Sequence, residues 1–224
     1  MKIAFIGYGS MARALSSRWV GTHEVKIGGR DLRKAEELAS GIGAQSSGSI
    51  ADVVQFGEVI VIATPAGAVD AAISAGGGAG AFAGKVVIDI GNAVSVPGGP
   101  HASEGIPYIP RNFSEGSLAE HIAALVPDAH VVKAFNMCQA SVWEMNPPVF
   151  DGRKLVTLFC GNNDKAKEQV ASLIEEIGSR PVDVGGLQYA KLLEAGAGLV
   201  IKFLFAGRDP HTVLNLIEPE AKPD

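Results

Sequence analysis

Cysteine is scarce in this chain. Only Cys138 and Cys160 occur among 224 residues, with no Cys-x-x-Cys pair, so neither a disulfide framework nor a thiolate metal site has support. Both lie in apolar stretches and read as buried thiols. Basic residues are few and scattered: 19 Lys and Arg stand against 24 Asp and Glu, for a net charge of −5. Phosphate backbones are bound by clustered cations, so nucleic acid is excluded as a main partner. Long apolar runs are also missing. The most apolar late stretch, 195–206, is interrupted by Lys202 and falls short of the ~20 residues that span a bilayer. No charged segment followed by an apolar run and a small-residue cleavage site opens the chain, which leads us to expect a soluble, cytoplasmic protein with no membrane partner.

An acid–base set is missing as well. His23, His101, His121, His130 and His211 fall in loops or on faces expected to be exposed, away from strand ends. Tyr8, Tyr108 and Tyr189 belong to no Tyr-x-x-x-Lys pair. No catalytic side chain is therefore assigned.

What the chain has is glycine, 28 residues, and a hydrophobic share of 47%, enough for a substantial core. Strands and helices alternate. Apolar strands are expected at 2–6, 24–27, 59–63, 86–90 and 130–135, and helices at 10–19 and 32–40, with Asp31 as cap and Gly41 as stop. Residues 75–84, a run of Gly and Ala, read as a loose loop. Strands that are apolar throughout are those covered on both faces, as in parallel sheets. The fold class is α/β, a Rossmann doubly wound, mainly parallel sheet. Past Pro147-Pro148 come a strand at 155–160, an amphipathic helix at 164–178, a strand at 181–184 and a helix from about 187. We divide the chain into an NADP-binding domain, 1–145, and a small C-terminal α/β lobe, 146–224, that completes the cleft.

The chemistry is carried by Gly7-Tyr8-Gly9-Ser10-Met11-Ala12, a Gly-x-Gly-x-x-Ala turn between a strand and a helix. Gly7 permits the turn, Gly9 lets the backbone approach a pyrophosphate, and Ala12 lets helix and strand pack closely. An NAD site carries Asp or Glu roughly 20 residues further on, for the ribose hydroxyl. Here Gly28-Gly29-Arg30 stands there instead. A carboxylate repels a 2′-phosphate and Arg30 pairs with it, so NADP(H) is the expected cofactor. Arg33 and Lys34 add charge, or else form an ordinary solvated helix start. Thr64, Pro65, Asn92, Asn136 and Met137 follow strand ends, where open α/β sheets bind ligands, and are expected at the nicotinamide end.

These residues carry a resemblance. The opening Ile3-Ala4-Phe5-Ile6-Gly7-Tyr8-Gly9-Ser10-Met11, then Ile27-Gly28-Gly29-Arg30-Asp31, Lys34, Thr64-Pro65 and Val131-Val132-Lys133-Ala134-Phe135-Asn136 are similar to the F420-dependent NADP oxidoreductase family. Its members pass a hydride between NADP(H) and the deazaflavin coenzyme F420. The resemblance implies contacts to NADP(H) from Ser10, Met11, Arg30, Lys34, Thr64, Pro65 and Ala66. Asn136 stands where deazaflavin-using members carry histidine. Phe135-Asn136 with Ser141 and Trp143 resembles instead the cytoplasmic domain of membrane ferric reductases, which use a flavin. The opening also resembles pyrroline-5-carboxylate reductases, which reduce an imine, though their long helical tail is missing. A non-catalytic NADP(H)-binding redox sensor is the remaining alternative. Leu199, Val200, Phe203 and Leu204 form an apolar stripe on the last helix, from which a homodimer is expected.

Overall fold

A computed structural model describes residues 1–93, 116–209, 211 and 215–219. In chain order it contains β1 (Lys2–Ile6), α1 (Ser10–Trp19), β2 (Glu24–Gly28), α2 (Leu32–Ile42), β3 (Ser46–Gly48), α3 (Ile50–Phe56), β4 (Val59–Ile62), α4 (Val69–Ala75) and β5 (Val86–Asp89). There follow α5 (Leu118–Leu125), β6 (His130–Lys133), α6 (Ala140–Trp143), β7 (Val149–Phe150), β8 (Arg153–Lys154), β9 (Val156–Gly161), α7 (Asp164–Glu176), β10 (Arg180–Asp183) and α8 (Ala190–Phe205).

Eight strands form one sheet in the order β10-β9-β6-β5-β4-β1-β2-β3, with β7 and β8 as a separate hairpin. The six central and outer strands of the first half are parallel, the doubly wound arrangement whose order reverses between β1 and β4. Strand β9 runs antiparallel to β6, and β10 pairs parallel with β9. The strands of the C-terminal segment thus extend the sheet of the first 145 residues.

Alternation along each strand divides the core. Ile3, Phe5, Val59 and Val61 join the layer under α1, α2 and α7, while Ala4, Ile6, Ile60 and Ile62 join the layer under α3, α4 and α5. With both faces covered, the Val-Ile-Val-Ile of β4 is buried at every position. An aromatic column stiffens the first layer. Trp19 lies 5.9 Å from Phe5 and 5.8 Å from Phe135, and Phe135 stands edge-on to Trp143 at 5.4 Å.

The structure corrects several expectations. Helix α2 runs through Gly41 and ends at Gly43, whose φ of 71° is the left-handed cap. The Gly/Ala run is not loose: α4 reaches Ala75, and a 3-10 turn at Ala79–Phe82 drives Phe82 to full burial. Strand β3 and helix α3 were not expected. Strand β3 is three polar or small residues at the sheet edge. Helix α3 did carry a signal, since Ser49 and Asp52 form a reciprocal capping box. His101 and Tyr108 lie outside the described residues. Three histidines have carboxylate partners: His23 with Glu176, His121 with Asp70 and His211 with Asp209. Both cysteines are free; Cys160 is buried and Cys138 partly so. Val200 is buried, so the outward stripe of α8 consists of Leu192, Leu199 and Phe203, 60%, 54% and 39% exposed. Among the described residues no helix is long and apolar enough to cross a membrane.

Candidate functional site

At the carboxyl ends of β1 and β4 the sheet opens into a cleft of ≈ 340 Å³. Its lining includes Gly7, Tyr8, Gly9, Arg30, Thr64 and Pro65, which the sequence places on three separate segments. The sequence pattern explains why they meet. Gly7 donates its N–H to the Gly28 carbonyl at 2.8 Å, tying the end of β1 to the end of β2. Its φ of +127° is one that side-chain-bearing residues rarely adopt. Gly28 and Gly29 are small because neighbours press on them: a Cβ would lie 2.4 Å from Val53 at Gly28 and 2.4 Å from the Tyr8 ring at Gly29. The Tyr8 ring can therefore pack against the turn after β2, and it lines the cleft.

Gly9 is different, for nothing lies within 4 Å of the Cβ position there. It is the N-cap of α1 and supplies no side-chain cap, and no acidic residue lies in the first turn that Ser10 and Met11 begin. Unfilled amides at the positive end of a helix beside open space suit a phosphate. Arg30 is exposed and makes no ion pair or hydrogen bond to another described residue, leaving its guanidinium available to an anion. Arg33 and Lys34 are engaged on the exposed face of α2. Arg33 pairs with Glu37, and Lys34 lies 3.9 Å from Asp31, which also caps the helix through the Lys34 amide at 3.2 Å. The Thr64 hydroxyl is buried with no hydrogen-bond partner, and Ala66 begins a 3-10 turn beyond Pro65. A buried hydroxyl with no partner is costly, and a coenzyme in the cleft would satisfy it.

Asn92 and Asn136 form a second group at the ends of β5 and β6. Asn136 Nδ2 donates to Asn92 Oδ1 at 2.9 Å, and Asn92 Nδ2 donates to the Asn136 carbonyl at 2.8 Å. Asn136 Nδ2 also donates to the Leu193 carbonyl of α8 at 3.1 Å, which leaves Oδ1 buried and unpartnered. Phe135 turns the chain at this point with a φ of 61°, in the left-handed region. Met137 follows, and a Cβ on Gly196 of α8 would lie 3.1 Å from its methyl group, so helix and thioether pack closely.

One cluster was missed. Lys133, wholly buried, donates to Asp89 Oδ2 at 2.7 Å, to the Gly91 carbonyl at 2.5 Å and to Glu194 Oε1 at 2.8 Å. The available signal was a charge at the end of each of two apolar strands, Asp89 and Lys133, with Glu194 in an apolar helix. Desolvation pushes the Cys138 and Cys160 thiols each up to about 12, well above the ordinary thiol value. No described histidine lines the cleft.

A family model described as NADP oxidoreductase, coenzyme F420-dependent, matches residues 2–93. Metalloreductase STEAP3 of Rattus norvegicus is 30% identical over 195 residues, 87% of this chain. The chain spans about a third of that relative's length, 36%. A protein from Arthrobacter sp. FB24, assigned as an F420-dependent NADP-reductase, has a crystal structure that superposes with a TM-score of 0.80 at 29% identity, over 92% of this chain and 94% of that one. A pyrroline-5-carboxylate reductase from Coxiella burnetii, 15% identical with a TM-score of 0.62 over 91% of this chain and 66% of that one, shares the fold.

Proposed function

We propose that this chain, whose residues 2–93 match the family model of F420-dependent NADP oxidoreductases, binds NADP(H) in the cleft between β1 and β4 and passes a hydride between it and a deazaflavin (coenzyme F420) or a flavin. The observation that carries the reading is an unengaged Arg30 and open space at Gly9 in the lining of one cleft. In this reading the amides of Ser10 and Met11 hold the pyrophosphate and Arg30 holds the 2′-phosphate through charge-assisted hydrogen bonds. In the same reading Thr64, Pro65 and Ala66 lie on the path toward the reactive ring, and Asn92, Asn136 and Met137, which stand at the ends of β5 and β6 outside the cleft lining, meet its far end. When bound, the nicotinamide supplies the hydride. The protein's part is to fix orientation and exclude water, because two hydride carriers need little proton transfer from side chains.

The resemblance of Asn136, Ser141 and Trp143 to flavin-using ferric reductases makes a flavin the acceptor to try beside the deazaflavin. An imine substrate requires a proton donor, and Tyr8 and Arg30 are the titratable side chains in the cleft lining. In our reading the segment 146–224 closes the site through α8, and a homodimer forms on the outward face of that helix. Such a protein works in the cytoplasm on small molecules.

The test is direct. Purified protein should bind NADPH more tightly than NADH and oxidise it, followed by nicotinamide absorbance, when given coenzyme F420, FMN or FAD. Oxidation with a cyclic imine alone would replace this reading with an imine reductase. Tight NADPH binding without turnover on any of them would leave a redox sensor.

A further inference from the structure

Three charged side chains buried together are costly in an interior that apolar residues would fill at less expense. Lys133 and Asp89 are fully buried at the side chain and Glu194 is 11% exposed. Every bonding position of the ammonium is used, since it has three donors and meets three acceptors. The carboxylates are used further. Asp89 Oδ1 accepts the Gly91 N–H at 2.8 Å, and Glu194 accepts the Leu118 N–H at 3.0 Å at the start of α5.

These bonds hold specific pieces of backbone. Gly91 is gripped twice, at its N–H by Asp89 and at its carbonyl by Lys133, so the turn that delivers Asn92 has one placement. Leu193, next to Glu194, gives its carbonyl to Asn136. Covalent and hydrogen bonds therefore close a ring running Lys133, Gly91, Asn92, Asn136, Leu193, Glu194 and back to Lys133. With its N–H groups committed to Asn92 and Leu193, the Asn136 amide presents one free group, the buried Oδ1 acceptor. An amide donor is its natural partner, and the carboxamide of a nicotinamide offers N–H groups of that kind.

We propose that Lys133 and Glu194 are positioning residues for the nicotinamide half of the coenzyme, acting through the Asn92–Asn136 pair to aim Asn136 Oδ1. The proposal rests on the NADP(H) reading above. It separates the two ends of the site: Arg30 and Gly9 serve the phosphates, while the buried charge cluster serves the ring.

The test compares two ligands on three variants by calorimetry. NADPH carries both halves; adenosine 2′,5′-bisphosphate carries the 2′-phosphate and no nicotinamide. Glu194→Gln keeps the shape and removes the charge, so it should fold where Lys133→Met, which leaves two buried carboxylates without a cation, should not. It should weaken NADPH about tenfold and leave the bisphosphate within about twofold. The fluorescence of bound NADPH should shift toward that of the free coenzyme. Asn136→Ala should give the same selective loss, and the double variant should lose no more than either single one, because both act through one chain of contacts. Equal loss of both ligands, no loss of either, or simple additivity would each overturn the proposal. Wild-type protein that binds neither ligand would overturn the NADP(H) reading and this inference with it, and is told apart by being seen before any variant is made.

Discussion

Gly7 sits against Ala63 so closely that a Cβ on Gly7 would come within 2.4 Å of the Ala63 carbonyl oxygen. The obstruction is backbone just past the carboxyl ends of the paired strands β1 and β4, which cannot yield. Gly9, two residues on, has open space at the same position. Two glycines of one motif therefore answer to different demands. Gly7→Ala should destabilise the fold by about 2–5 kcal/mol, from overlap and left-handed strain. Gly9→Ala should cost less than about 1 kcal/mol in stability, yet weaken NADPH at least about tenfold by filling the phosphate approach. Thermal melts and NADPH titration of the two variants check this; matched melting losses would refute it.

Arg30 is the expected source of coenzyme choice. Its pairing with a 2′-phosphate contributes about 1.5–3 kcal/mol, or roughly 10- to 150-fold in affinity. Arg30→Ala should remove most of the preference for NADPH over NADH, measured as the ratio of dissociation constants. Equal wild-type affinities would end the idea. Arg33→Ala should change that ratio little, because Arg33 is engaged with Glu37.

Phe135 holds the strained turn before Asn136 and packs edge-on to both Trp19 and Trp143. Phe135→Ala opens a cavity in this column and should cost about 3–5 kcal/mol. A urea titration read by tryptophan fluorescence gives the number, and a loss under about 1 kcal/mol would show that the column repacks freely.

The cysteines predict a pH effect. Desolvation raises each folded-state thiol to about 12, above its ordinary value of 9.0, while unfolding restores the ordinary value. Below about pH 8.5 both states keep the proton and the thiols add no pH dependence. Above it the unfolded chain loses the proton first, so stability should fall as pH rises from about 9 toward 12. At pH 8 a disulfide thiol reagent should label neither cysteine in native protein and both after denaturation. Rapid native labelling would contradict the burial.

Hydride transfer should have a nearly flat pH profile between about 6 and 8, because no described histidine lines the cleft and histidine is the side chain that titrates there. Single-turnover rates across that range decide it. A bell-shaped profile abolished by replacing one histidine would point to an acid-assisted substrate instead.

Local chemistry made much of this protein legible from its sequence. The Gly7–Ala12 turn, Arg30 in place of an acidic residue just past β2, the Asp31 cap and the apolar runs of the parallel strands depend on neighbours a few residues away, and each stands where the pattern puts it. Helix α7 was equally readable, because Val170, Leu173 and Ile174 repeat with the helical period on a face that is buried. What only the tertiary structure decided depends on distant pairing. Edge strand β3 has no apolar pattern, being defined by its partner β2. The extension of the sheet by β9 and β10 is a matter of which edge was open. The burial of Val200 against the exposure of Leu199 is set by where α8 docks. Asp89, Lys133 and Glu194 lie 44 and 61 residues apart and gain meaning only where the chain returns on itself. A charge in an apolar strand says that a partner must exist, since an unpaired charge there would be prohibitive; the sequence alone does not say which one.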